Sequence, residues 1–95
     1  MVESISVNKL KLINDAEIID IRSREKYNDR HILNAINIPF DDLLINHQKY
    51  INKNNKYYIY CQKGMKSRQL CGILKNQGYN VINIIGGYEA WVLSE

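Results

Sequence analysis

Short apolar segments recur along the chain, each rich in β-branched or aromatic residues and only loosely alternating with polar positions. They cover residues 17–21, 35–38, 57–61 and 81–85. Strands that are covered by helices on both faces have this character, because side chains on both sides point into apolar layers. We therefore predict buried strands at these segments, and a weaker strand before Val7.

The segments between these strands have helical character. Helices are predicted over residues 23–29, 40–50 and 66–77, with a short helix before Asp15 and a final turn that begins at Gly86. The helix over 66–77 has the clearest pattern, and Gly78 follows it as a residue that ends helices. Its apolar face is predicted to consist of Leu70, Ile73, Leu74 and Gln77.

Strands that alternate with helices favour parallel pairing through right-handed crossovers, so the pattern predicts an α/β sandwich. The 95 residues fit one domain, which we predict to span residues 1–95. Ligands of open α/β sheets bind beyond the carboxyl ends of the strands. That rule places Asp20, Cys61 and the residues after Ile38 on one rim of the sheet.

The composition argues against several classes of function. Apolar residues make up 45% and charged residues 24% of the chain, which is typical of a globular protein. The formal charge of +3, from 13 basic and 10 acidic residues, is too small and too interspersed to predict nucleic-acid binding. No apolar run approaches the roughly 18 residues of a membrane span, and the N-terminus does not resemble a signal peptide. We expect a cytoplasmic protein that binds neither nucleic acid nor membrane, and a monomer or weak dimer.

The two cysteines, Cys61 and Cys71, do not form a metal-binding pattern. They lie ten positions apart, and His31 and His47 lack ligand spacing relative to them. We expect no metal and no organic cofactor. Cys71 falls on the helix over 66–77, where a buried packing role is the usual one for a free cysteine.

Cys61 lies at the end of a predicted strand and is followed by a loop that leads directly into a helix. Gly64 permits a backbone conformation with positive φ, in which successive N–H groups converge into an anion-binding nest. The start of the helix adds unpaired N–H groups and a positive dipole end. Positive charge nearby is expected from Lys63, Lys66 and Arg68. Such surroundings stabilise a thiolate and make it nucleophilic toward anionic substrates, although a cysteine at a strand end can also be a small core residue.

Several sequence motifs occur together in one order. They are DIR at 20–22, REKYNDRHILNAINIP at 24–39, YCQKGMKS at 60–67 and GGYEAW at 86–91. In this order the chain resembles the rhodanese family over nearly its whole length, and in particular a single-domain rhodanese-like sulfurtransferase. The resemblance implies a three-layer sandwich with a four- or five-stranded parallel sheet and helices on both faces.

The resemblance also implies roles for individual residues. Cys61 would be the nucleophile that takes a sulfane sulfur from thiosulfate or a persulfide and passes it to cyanide in vitro, or to a thiol or protein in the cell. Asp20 and Arg22 match the family's Asp-x-Arg and would support the rim of the site, with Arg68 adding charge. The implied substrate-binding loop consists of Gln62, Lys63, Gly64, Met65, Lys66 and Ser67.

The chain departs from the family pattern at two loop positions. Lys66 and Gln62 stand where many members have Arg, and Lys66 lacks the planar fork that grips an oxyanion at two points. Two other functions stay open: phosphatase or arsenate reductase chemistry, and a non-catalytic sulfur-carrier or regulatory module. Protein tyrosine phosphatases place Arg six positions after the cysteine, which here is Ser67, with Arg68 one position later.

Overall fold

Five strands form one parallel sheet in the computed structural model, which describes residues 1–95. They are β1 (Ser4–Ile5), β2 (Ile18–Asp20), β3 (Ile36–Asn37), β4 (Lys56–Tyr60) and β5 (Asn80–Ile84). Their order across the sheet is β1–β5–β4–β2–β3, and every neighbouring pair is parallel. The predicted α/β class with a parallel sheet is confirmed, and β1 is the weak strand expected before Val7.

Five helices connect the strands or follow the last of them. They are α1 (Val7–Leu10), α2 (Arg24–Asp29), α3 (Phe40–Tyr50), α4 (Met65–Asn76) and α5 (Gly87–Leu93). The three long helical segments predicted from the sequence agree with α2, α3 and α4 to within one residue at each end. The Ser23 side chain accepts a hydrogen bond from the backbone N–H of Lys26 and thereby caps α2. None of the helices has the length and apolar character needed to cross a membrane.

The sheet separates two apolar clusters, one on each face. Side chains alternate along β4, so that Tyr57, Ile59 and the adjoining Cys61 lie in one cluster with α3 and α4. Tyr58 and Tyr60 lie in the other cluster, which packs toward α1 and α5. The result is the three-layer sandwich predicted above.

The predicted apolar face of α4 is partly wrong. Its buried residues are Ser67, Leu70, Cys71 and Leu74. Ile73 is only half-buried and Gln77 is exposed. The buried positions follow the i, i+3, i+4, i+7 spacing of a single helical stripe that starts at Ser67. The predicted face starts three positions later, at Leu70, and is therefore rotated by about 60° from the observed one. Gly78 has φ +98° and ends the helix as expected.

Candidate active site

The loop after β4 turns the chain from the sheet into α4. Gly64 has φ +99°, and a Cβ atom there would lie 2.9 Å from the backbone nitrogen of Gly86. Both the conformation and the space therefore require glycine. The turn brings the first residues of α4 back over the end of β4, where Cys61 is located.

Two backbone N–H groups of this loop donate hydrogen bonds to the sulfur of Cys61. The N–Sγ distances are 3.1 Å for Gly64 and 3.3 Å for Ser67. Main-chain N–H groups that converge on one point in this way form a nest suited to an anion. The remaining loop N–H groups, those of Gln62, Lys63, Met65 and Lys66, have no acceptor within the protein. The loop thus combines a sulfur held by main-chain donors with further donors free to bind an anion.

Cys61 opens into a cleft of about 430 Å³ between the carboxyl ends of β2 and β4. The cleft is lined by Ile21, Arg22, Ser23, Lys26, Pro39, Phe40, Asp41, Cys61, Gln62 and Lys66. Phe40 follows β3 and lies on the rim that the strand-end rule identified. Lys26 was not predicted; it lies in the first turn of α2, which begins at the same rim after β2.

The charges around the cleft are mainly positive. Arg22, Lys26 and Lys66 face it against the single acidic residue Asp41. The ammonium of Lys66 lies 5.5 Å from the ring centroid of Phe40, within the range of a cation–π contact. The cleft that Cys61 lines is therefore suited to a small anion.

Three predicted residues lie away from this cleft. Lys63 lines a neighbouring surface cleft beside Arg30 and Glu89. Met65 is exposed, and Arg68 lies with it on a separate part of the surface. Arg68 does not line this cleft: each residue of a helix is rotated by about 100° from the previous one, so a helix that buries Ser67 turns Arg68 outward.

Asp20 and Arg22 form a buried ion pair that reaches the loop. Asp20 is fully buried, and its carboxylate accepts from the backbone N–H and the guanidinium of Arg22 and, at 2.6 Å, from the hydroxyl of Tyr60. Arg22 also donates to the side-chain oxygen of Gln62 at 3.1 Å and to the carbonyl of Arg30. Burial, reinforced by the hydrogen bond to Asp20, raises the pKa of Tyr60 and keeps it a neutral donor. The pair thus links β2 to the residue next to Cys61.

The first turn of α5 supports the loop from behind. The backbone N–H of Tyr88 donates to the carbonyl of Cys61 at 2.9 Å, and that of Glu89 donates to the carbonyl of Gln62 at 3.1 Å. A Cβ atom on Gly87, which has φ +61°, would lie 2.3 Å from the Cys61 carbonyl oxygen. The sequence shows that Gly86 and Gly87 follow one another after β5. It does not show that Gly87 packs against the carbonyl of Cys61, because the two residues are distant in sequence.

Cys71 does not reach the cleft. It is 1% exposed, within the apolar cluster that packs α4 on the sheet. Burial, together with the nearby Cys61, raises its pKa to about 12, so it is a neutral thiol at ordinary pH. This agrees with the packing role expected for it.

Comparisons with known proteins agree with this fold. The family model described as Rhodanese-like domain matches residues 7–94. A crystal structure of a rhodanese-like domain protein from Staphylococcus aureus superposes with a TM-score of 0.86 at 32% identity, covering 95% of this chain and 91% of that one.

Curated relatives carry names that refer to sulfur transfer. The thiosulfate sulfurtransferase GlpE of Coxiella burnetii is 33% identical over 81 residues, which cover 81% of this chain and 72% of the relative. The adenylyltransferase and sulfurtransferase uba4 of Ogataea parapolymorpha is 32% identical over 90 residues, or 94% of this chain. The chain spans only 23% of the length of that protein.

Proposed function

The chain belongs to the rhodanese-like domain family, and on this premise we propose that it is a sulfurtransferase that carries sulfane sulfur as a persulfide on Cys61. Family membership and the names of the relatives support sulfur transfer in general. The donor we propose is a small anion such as thiosulfate or a persulfide. The acceptor is cyanide in vitro and a thiol or protein in the cell.

The observation that carries the proposal is the pair of main-chain hydrogen bonds on one sulfur. The N–H groups of Gly64 and Ser67 converge on the Sγ of Cys61, which lines the cleft. A thiolate held in this way is ready to attack without a separate general base. Lys26 and Lys66 at the cleft favour an anionic donor by attraction at short range.

The reaction proceeds by two displacements at sulfur. The Cys61 thiolate attacks the outer sulfur of thiosulfate; the new S–S bond forms as the old one breaks, and sulfite leaves with the electron pair. An acceptor nucleophile then attacks the terminal sulfur of the persulfide, forming its own bond to sulfur, and the Cys61 thiolate departs. The loop N–H groups stabilise the thiolate as nucleophile in the first step and as leaving group in the second.

Intact-mass measurement after incubation with thiosulfate tests this proposal directly. We expect the protein to gain the mass of one sulfur atom, to lose it on addition of cyanide, and to carry it on the peptide that contains Cys61. A protein that remains unchanged with both thiosulfate and a low-molecular-weight persulfide would contradict the proposal.

Replacing Lys66 with Arg is expected to lower the KM for thiosulfate about 3- to 10-fold while changing kcat little. The guanidinium presents two parallel N–H donors to an oxyanion, where the ammonium acts as a point charge. Steady-state assays of thiocyanate formation at constant ionic strength measure this. Arg68→Lys, on the exposed side of α4, is the matched control; an unchanged KM in Lys66→Arg would show that the main-chain donors dominate binding.

Phosphatase chemistry and a non-catalytic sulfur-carrier role would give different results in these assays. Aryl phosphate hydrolysis without sulfur transfer would indicate phosphatase chemistry, for which the outward position of Arg68 leaves the cleft without the expected clamp. A Cys61 persulfide that forms but turns over only when a partner protein is added would indicate a sulfur carrier. One curated relative, the putative sulfur carrier protein YrkF of Bacillus subtilis, carries such a name.

A further inference from the structure

A buried polar pair lies behind the sulfur of Cys61, on the side away from the cleft. The hydroxyl of Ser67 lies 3.4 Å from Cys61 Sγ and 2.6 Å from the side-chain oxygen of Asn83, on β5. Ser67 is fully buried, and Asn83 is 3% exposed. Asn83 is polar among the apolar side chains of a central strand, and nothing in its sequence neighbourhood marks it as part of the site.

The Ser67 hydroxyl has one hydrogen and several possible acceptors. The Asn83 oxygen at 2.6 Å is closer than the carbonyl of Gly64 at 3.3 Å, so the hydrogen lies toward Asn83. The hydroxyl oxygen then accepts from the S–H of neutral Cys61. A thiolate has no hydrogen to give, and in this arrangement it receives none from Ser67 Oγ.

The side-chain oxygen of Asn83 accepts only one hydrogen bond. The Ser67 hydroxyl is its only hydrogen-bond donor in the structure. Turning the hydroxyl toward a thiolate would leave a buried acceptor unpaired, which is costly. Asn83 and the Cys61 thiolate therefore compete for one hydrogen.

We propose that Asn83 is a positioning residue that holds the Ser67 hydroxyl hydrogen away from Cys61 and so limits the thiolate fraction of the resting enzyme. The inference rests on the proposed role of Cys61 as nucleophile. Two sets of groups then act on the same sulfur in opposite directions. The main-chain donors of the loop favour the thiolate form of Cys61, and Asn83 disfavours that form. Without the Asn83 oxygen, the remaining acceptors for the Ser67 hydroxyl are the Gly64 carbonyl at 3.3 Å and the sulfur at 3.4 Å, and a thiolate is the stronger of the two because it is charged.

Other titratable and charged groups also face Cys61. Arg22 after β2, Lys26 on α2, Asp41 on α3 and Lys66 on α4 line its cleft. Cys71 lies below it on α4, where its raised pKa keeps it neutral through the relevant range. All of these groups remain in place when Asn83 is replaced, so a comparison of variants isolates the competition for the hydrogen.

The test is the pH dependence of iodoacetamide alkylation at Cys61, measured on the full chain by peptide mass spectrometry. The leucine side chain has nearly the shape of asparagine. We expect Asn83→Leu to lower the midpoint of the pH dependence of alkylation by about 0.5 to 1 pH unit. The thiolate fraction well below the midpoint would then be about 3- to 10-fold larger, since each pH unit is a tenfold change in that fraction, and alkylation there would be faster. Asn83→Val, which suits a strand interior, is the second variant in case the leucine does not fold.

The same substitution in a Ser67→Ala background separates positioning from a general structural effect. Without the Ser67 hydroxyl, Asn83→Leu is expected to leave the midpoint unchanged. An equal shift in both backgrounds, no shift, or an upward shift in the presence of Ser67 would overturn the proposal. Alkylation does not require sulfur transfer, so a failure to form the persulfide would refute the proposed function and leave this result readable.

Discussion

Replacing Cys61 with Ser is expected to abolish thiocyanate formation from thiosulfate and cyanide, with a loss of about a thousandfold or more. Serine preserves the size of the side chain but remains a neutral hydroxyl near neutral pH, and its oxygen cannot form the persulfide intermediate. The main-chain donors of the loop remain in place in this variant, so the expected loss would show that anion binding alone is not sufficient for activity. Initial rates over a range of enzyme concentrations, with intact mass to follow persulfide formation, measure the effect.

Cys71→Ala is the matched control for this experiment. The side chain is buried among apolar residues of α4 and makes no contact with the cleft, so activity is expected to persist at a similar rate. A modest loss of stability, of about 1 kcal/mol, would follow from the small cavity that the substitution leaves. If Cys71→Ala were inactive and Cys61→Ser active, the assignment of the nucleophile would be wrong.

Most of the fold could be predicted from the sequence because local pattern and tertiary structure agree. The β4 segment alternates between two buried faces, and its tyrosines divide between them. The helical phase of α4 was harder to predict: Ser67, a polar residue, occupies the buried stripe, and Ile73 does not. A pattern based on hydrophobicity alone assigns such a helix to a slightly rotated face.

Part of the candidate site could also be predicted from the sequence, and part could not. The loop around Gly64 could be predicted, because a strand, a glycine and a helix start follow one another within a few residues. The contacts that hold the loop come from residues distant in sequence, including the Gly87 turn and the Asn83 side chain. Which cations face the cleft depends on rotation about a helix, and this is why Lys66 belongs to the cleft and Arg68 does not.

The second large effect concerns stability. Asp20→Ala is expected to lower the free energy of unfolding by about 3–5 kcal/mol, a typical loss when one partner of a buried ion pair is removed. Arg22 would remain buried without its carboxylate; at present the hydrogen bonds and charge of Asp20 outweigh the effect of burial and raise the pKa of Arg22. The Tyr60 hydroxyl would also lose its acceptor. Urea unfolding at neutral pH, followed by circular dichroism, measures the change.

Two comparisons make this result specific to the buried pair. Asp29→Ala removes the same charge from an exposed position on α2 and is expected to change stability by less than about 0.5 kcal/mol. The double substitution Asp20→Leu with Arg22→Met removes both charges and should recover part of the lost stability, because no uncompensated charge stays buried. Sulfur transfer is expected to be impaired in the double variant, since Gln62 would lack the donor that links its side chain to the residue after β2. A double variant as unstable as Asp20→Ala would show that hydrogen bonds to Tyr60 and the backbone, more than the unpaired charge of Arg22, account for the loss.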